Sequence, residues 1–175
     1  MRIAVCIKQV PDTEARLRVR GDGLWLDEDG LPFVINESDL QALEEALRIA
    51  ENTGGEVVVY SLGPARVKDA LLKALALGAV KAVHLSDDAF QGGDALATAR
   101  ALHAAIARED FDLVLTGSQS DDTGYGSTGS VLAGHLGWPH AWLVMGVEVE
   151  EGAPSKWSGK WRAAPTRSCA SPNPR

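Results

Sequence analysis

Short apolar runs alternate along this chain with longer stretches of helical period, and that alternation constrains the fold more than any single motif. Val57-Val58-Val59 is apolar on both faces. A strand of that kind needs cover above and below, which is the situation of a parallel sheet between helices. Leu40, Leu43, Ala46, Leu47 and Ala50, just upstream, fall on one helical stripe. The pattern predicts strands over Arg2–Lys8, Glu56–Ser61, Lys81–Leu85, Phe111–Thr116 and Ala141–Val149. Helices are predicted over the Leu40–Ala50 stripe, Arg66–Leu77, Gly93–Ala107 and from about Ser127 to Leu136. Strand–helix–strand units close with right-handed crossovers. The expected fold is therefore α/β: a doubly wound, mostly parallel sheet with helices on both faces. One insertion interrupts it. Arg16-Leu17-Arg18-Val19-Arg20 alternates with period two, and Gly21-Asp22-Gly23 turns it into Leu24-Trp25-Leu26, a small N-terminal hairpin. Pro11, which has no N–H to donate, is expected to break the chain after the first strand.

Ligands of such sheets bind beyond the carboxyl ends of the strands. Those ends are Cys6–Gln9, Ser61–Pro64, Leu85–Asp88 and Gly117–Gly129. The last reads G-S-Q-S-D-D-T-G-Y-G-S-T-G. Glycines let a backbone approach a ligand closely, and the helix that follows offers free N–H groups to a phosphate. Ser127 and Thr128 add hydroxyls at that terminus. Nucleotide or phosphate binding stands here beside an ordinary polar strand–helix loop. No G-K-[ST] is present, so the loop is not a P-loop. Asp121 and Asp122 are read as turn caps or partners of ribose hydroxyls rather than as metal ligands. Asn36 or Ser38 can cap the helix that begins nearby, and Glu37 and Asp39 suit its dipole.

Other chemistry is thin. His84, His103, His135 and His140 have no ligand spacing and are read as structural or surface groups. Cys6 lies within a strand and is read as a small buried hydrophobe. Glu44-Glu45 is read as a solvated helix edge. No acid–base pair and no activated nucleophile emerges, so binding is expected rather than catalysis. The net charge of −7 argues against a nucleic-acid partner. No apolar run is long enough to span a bilayer, and no signal-peptide layout opens the chain. Cys6 and Cys169 form no disulfide framework, and a cytoplasmic location is expected.

Three segments together resemble the β subunit of electron transfer flavoprotein. They are Ile7-Lys8-Gln9-Val10-Pro11-Asp12-Thr13; Ile35-Asn36-Glu37-Ser38-Asp39 leading into Ala42–Arg48; and Leu113–Gln119 through Thr128-Gly129, with Gly137-Trp138-Pro139 after the helix. Ala74–Ala79 looks like the family's helix end. The resemblance implies an adenine-nucleotide-binding domain over 1–151 that pairs with an α subunit, and an assembly that accepts electrons from dehydrogenases. FAD is then held mainly by the α subunit. The β pocket takes AMP, or a second FAD in electron-bifurcating members. By motif position the nucleotide contacts fall on Cys6, Asn36, Glu37, Ser38, Asp39, Leu62, Gly117, Gln119, Asp121, Asp122, Gly124, Gly126, Ser127 and Thr128. Two departures bear on the choice of nucleotide: Asn36-Glu37-Ser38 replaces an Asn-Pro-aromatic sequence, and Gly126-Ser127 replaces Asn-Gln. A stand-alone universal-stress-type ATP/AMP-binding regulatory domain shares the architecture and is the alternative.

The tail differs from the body. Residues 152–175 hold five basic residues and no acidic one, whereas the first 151 hold 12 basic and 24 acidic. Members of the family continue past residue 175 with an acidic, valine-rich strand and an arm that wraps the α subunit. Read one base out of step, with suitable synonymous codons, Lys156–Arg162 gives V-E-R-E-V-E, which looks like that strand. Residues after about Gly152 are therefore read as a frameshifted translation, expected to be poorly ordered or loosely docked. A genuine divergent tail is the alternative.

Overall fold

The computed structural model describes residues 1–149 and the backbone of 159–163. Four parallel strands form its centre: β1 (Arg2–Cys6), β4 (Glu56–Leu62), β5 (Lys81–Leu85) and β6 (Leu113–Thr116), in the order β5-β4-β1-β6. Alternation along the strands sorts the core into two layers. Ile3, Val5, Val57 and Val59 point toward α1 (Glu37–Thr53) and α2 (Val67–Leu77), with Leu43, Ala46, Ile49, Leu71 and Ala74. Ala4, Cys6, Val58 and Tyr60 point the other way, onto α3 (Ala95–Ile106) and α4 (Thr128–Leu136), with Leu102, Ile106 and Leu132. Helices therefore cover both faces, as the all-apolar strands require. Each such fully buried aliphatic side chain contributes roughly 1.5–3 kcal/mol relative to exposure. The helix α1 stops where Gly54 turns left-handed at φ 63°. No helix among the described residues is long and apolar enough to cross a membrane.

Three elements differ from expectation. The first strand ends at Cys6, not Lys8, and the stretch around Pro11 is not an irregular break: Gln9–Pro11 forms a separate strand, β2, paired antiparallel with β3 (Phe33–Ile35). Its missing N–H costs nothing there, because Pro11 is the last residue of the strand and Asp12 N–H continues the pairing onto Pro32 O at 3.0 Å. The N-terminal hairpin is reduced to one bridge, Val19–Leu26. Leu17, Val19, Leu24 and Trp25 stay exposed, Leu24 at 80%. The last strand begins at Val144, not Ala141, and does not join the parallel sheet. This β7 (Val144–Val149) pairs antiparallel with β8 (Gly159–Ala163). It is instead tied to α1, where Glu45 accepts from Val147 N–H at 2.8 Å and Arg48 donates to Val147 O at 2.8 Å. Glu45 is thus no solvated edge. The Arg48 guanidinium and the Val147 N–H hold its carboxyl below the usual range against a modest opposing burial. Within the tail only the β8 backbone is described, and the reading of 152–175 as frameshifted and poorly ordered otherwise falls outside the described residues.

Candidate functional site

Winding from β1 through β4 to β5 proceeds in one direction, and β6 returns on the other side of β1. The reversal lies between β1 and β6, where their ladder ends at the Cys6–Thr116 pair. A doubly wound sheet opens a crevice at that place. The glycine-rich loop starts there, at Gly117.

Side chains from the start of α1 fasten this loop. Asp39 is 8% exposed and bridges the two strand ends. One carboxylate oxygen accepts from Lys8 N–H at 2.8 Å, the other from Gly117 N–H at 2.9 Å. Asn36, 1% exposed, accepts from Asp121 N–H at 2.9 Å and donates to Gln119 O at 2.9 Å. Ser38 Oγ donates to the same carbonyl at 2.8 Å. Asn36 does occupy the N-cap position of α1, but its side chain makes no cap hydrogen bond. The amide is spent on the loop instead. Glu37, the remaining residue of the motif, is exposed.

Lys8 closes the loop from the opposite side. Its ammonium lies 2.6 Å from Asp122 Oδ1, 3.4 Å from Ser120 Oγ and 3.3 Å from Thr123 Oγ1. Burial works against the charged form of Asp122, but the Lys8 ammonium, Ser120 and Thr123 N–H outweigh it and hold the carboxyl below its ordinary value. The balance at Asp39 runs the other way. Burial outweighs its bonds from Lys8 and Gly117 N–H and pushes the carboxyl up to about 6.

The glycines divide by cause. Gly124 and Gly126 sit at φ 64° and 60°, a left-handed backbone that strains other residues. Gly117 is needed for space: an added Cβ would run into Asp39 Oδ1, Ser38 Oγ and the Asp39 backbone nitrogen. Its closeness serves the protein's own packing. At α4, Ser127 is the N-cap residue and makes no side-chain cap bond. The helix's first backbone bond from Ser127 runs to Val131 N–H, and the N–H groups of Thr128, Gly129 and Ser130 take no acceptor among the described residues.

Apart from the exposed Glu37, the sequence-derived positions fall into two groups. Asn36, Ser38, Asp39, Gly117, Gln119, Asp121 and Asp122 form one hydrogen-bonded unit, with Gly124, Gly126, Ser127 and Thr128 continuing it to α4. Cys6 and Leu62 stand apart, at the ends of β1 and β4. The Cys6 side chain faces the α3–α4 layer, and burial, with the Asp39 charge second, pushes its thiol up to about 12. Lys8 was not singled out as a site residue from sequence. A lysine placed directly after a buried strand, at the sheet's carboxyl end, is the signal that could have found it.

A cavity of about 1020 Å³ touches the loop at Gly117, Ser118 and Gly126 and then runs along β6 toward Trp138, Trp142 and Val144. It is an apolar trough beside the site rather than the site itself. Among the described residues no group of three or more His, Cys, Asp or Glu side chains could hold a metal ion.

A doubly wound α/β domain with a preformed loop at its switch point defines a class that binds ligands at strand ends. The electron transfer flavoprotein domain family matches residues 23–162. The chain is 44% identical over 154 residues to the electron transfer flavoprotein subunit beta of Methylophilus methylotrophus, covering 87% of this chain and 58% of that protein. Identity to the subunit of the same name from Clostridium acetobutylicum is 45% over 150 residues, covering 86% and 58%. Protein FixA of Rhizobium meliloti is 46% identical over 141 residues, covering 78% and 48%. The chain belongs to the electron transfer flavoprotein family. It spans less than three fifths of the length of these relatives (58%, 58% and 48%).

Proposed function

We propose that the chain is a β-type subunit of an electron transfer flavoprotein and that its own pocket holds AMP. In this reading it pairs with an α subunit that carries most of the FAD, and the assembly accepts electrons from dehydrogenases. The FAD, when bound, supplies the electron-accepting chemistry. The chain's residues bind and brace. Free N–H groups at Thr128, Gly129 and Ser130, with the Ser127 and Thr128 hydroxyls, suit a phosphate. Asp121 and Asp122 suit ribose hydroxyls, and backbone groups near Cys6 and Leu62 suit the adenine. Gln119, Gly124 and Gly126 shape the turn, while Asn36, Glu37, Ser38 and Asp39 form its base.

The observation that carries the reading is the loop itself. It is held in place by buried side chains before any ligand is considered, and its helix terminus still presents unused donors. Prearranged donors of this kind reduce the ordering cost of binding. Co-expression with the α subunit of a relative tests the proposal. The expected result is a yellow heterodimer that releases AMP on denaturation; release of FAD from the β pocket would assign the bifurcating type. A chain with an intact C-terminus that forms no complex overturns the reading. We also propose that the nucleotide-binding domain ends near residue 151 and that the frame shifts after about Gly152. Resequencing the gene tests this, and an unbroken frame through the stop codon ends it.

A further inference from the structure

Asp39 holds a position that the nucleotide reading alone does not explain. Beyond Cys6 and Thr116 the ladder between β1 and β6 ends. Past that point Lys8 N–H and Gly117 N–H still need acceptors in a buried setting. One carboxylate satisfies both, at 2.8 and 2.9 Å. A neutral side chain of that size does so less well. An amide has one accepting oxygen and presents its NH2 to the second N–H, and a protonated carboxyl keeps one full acceptor and a weaker hydroxyl oxygen that also carries a donor.

We propose that Asp39 is the positioning residue of the nucleotide loop: its charged carboxylate fixes the root of the loop at Gly117, and proton uptake at Asp39 releases that root and weakens nucleotide binding. This rests on the AMP reading given above. The start of α1 holds the loop at further points, since Gly117 leads to Gln119 and Asp121, which the N-cap residue Asn36 and Ser38 hold. Loosening one anchor therefore loads the others. The charged and titratable groups near Asp39 are Lys8, two residues past the end of β1, and Cys6, the last residue of β1, whose side chain turns to the other layer. The Lys8 ammonium is committed to Asp122 at 2.6 Å. Burial pushes the Cys6 thiol up to about 12, which leaves it neutral throughout. Asp39, raised to about 6, is the member of the set that changes charge between pH 5 and 7.5.

The test measures AMP affinity by calorimetry for the wild-type chain and for Asp39→Asn at pH 7.5 and pH 5. The phosphate of AMP itself titrates near pH 6, so the reading is the ratio between the two proteins at each pH. The expected ratio is about tenfold in favour of wild type at pH 7.5, the scale of one lost charge-assisted hydrogen bond, shrinking toward unity at pH 5. An equal ratio at both pH values overturns the proposal. A second readout needs no nucleotide. In wild type the amide resonances of Lys8, Gly117, Gln119 and Asp121 are expected to titrate together with a midpoint near 6, and to stay flat in Asp39→Asn. Independent or absent titration of these amides in wild type overturns the proposal, and this outcome is read even if Asp39→Asn does not fold. If neither protein binds AMP while the amides titrate together, the nucleotide reading fails and the coupling through Asp39 stands.

Discussion

At the amino end of the sheet, charge meets charge at the surface; at the carboxyl end, one carboxylate meets backbone N–H groups away from water. Arg2 lies 2.7 Å from Glu56 and 2.9 Å from Glu109, and Lys81 lies 2.7 Å from Glu109. Lys81 and Arg2 together pull Glu109 down to about 2. Asp39 at the other end goes up to about 6. The same residue chemistry is thus biased in opposite directions by its surroundings. A partly exposed carboxylate between two cations is stabilised as an ion and screened by salt. A buried carboxylate with two N–H partners remains costly as an ion, yet it fixes geometry. The amino end fastens the sheet, and the carboxyl end keeps a part that can change.

The sharpest way to break this comparison is to fill the space beside Asp39. Gly117→Val sets a side chain against Asp39 and its backbone and is expected to destabilise by about 3 kcal/mol. Urea unfolding measures it, and a cost near zero would mean that the loop root is not tightly packed. Gly134→Ala is the control, because a Cβ there meets nothing. It lies inside α4 and is expected to stabilise by roughly 0.5–1 kcal/mol.

The pH dependence of stability separates the two ends by sign. Asp39 is raised from 3.8 to about 6. Between those values the folded state binds more protons than the unfolded one, so this group's contribution is fully present below pH 3.8 and lost as pH rises through about 6. The full swing corresponds to ~3 kcal/mol. Asp39→Asn is expected to remove it, so that the urea midpoints at pH 4 and pH 7 shift relative to each other in the variant. An unchanged difference would contradict the account. Glu109 has the reverse sign, with stability present above pH 4.5 and lost as pH falls toward 2.

Next in size, Asn36→Ala leaves the N–H of Asp121 and the carbonyl of Gln119 without that partner and is expected to cost about 2 kcal/mol. Faster amide exchange at Asp121 would accompany the loss. Protection there equal to wild type would show that Asn36 does not hold the loop. Smallest of all, Glu109→Gln is expected to lower stability slightly at low salt and not at all at high salt. An effect insensitive to salt would mean that the amino-end cluster is more enclosed than its exposure suggests.

The four strands and the helices between them were legible because burial imposes period. Val57-Val58-Val59 can be covered only from both sides, and Leu43, Ala46 and Ala50 recur at helical spacing. The glycine-rich loop was legible as a strand-end feature. What sequence left open was the division of labour within it. Asn36, Ser38 and Asp39 carry groups that could cap a helix, contact a ligand or clamp a loop. Only the return of β6 beside β1 brings Gly117 and Gln119 to them and decides the third role. The β2–β3 pair was hidden for a different reason: three residues per strand, one of them Pro11, give no period to read. The separation of β7 from the main sheet likewise depends on Glu45 and Arg48, whose pairing with Val147 crosses some hundred residues.

The most direct test of the central claim, that the loop between β6 and α4 seats an adenine nucleotide, is an amide-resolved titration of the chain with AMP. The expected result is saturable movement of the Gly117, Asp122, Thr128, Gly129 and Ser130 resonances with a single dissociation constant. Movement confined to other residues, with these five unaffected at saturation, would contradict it.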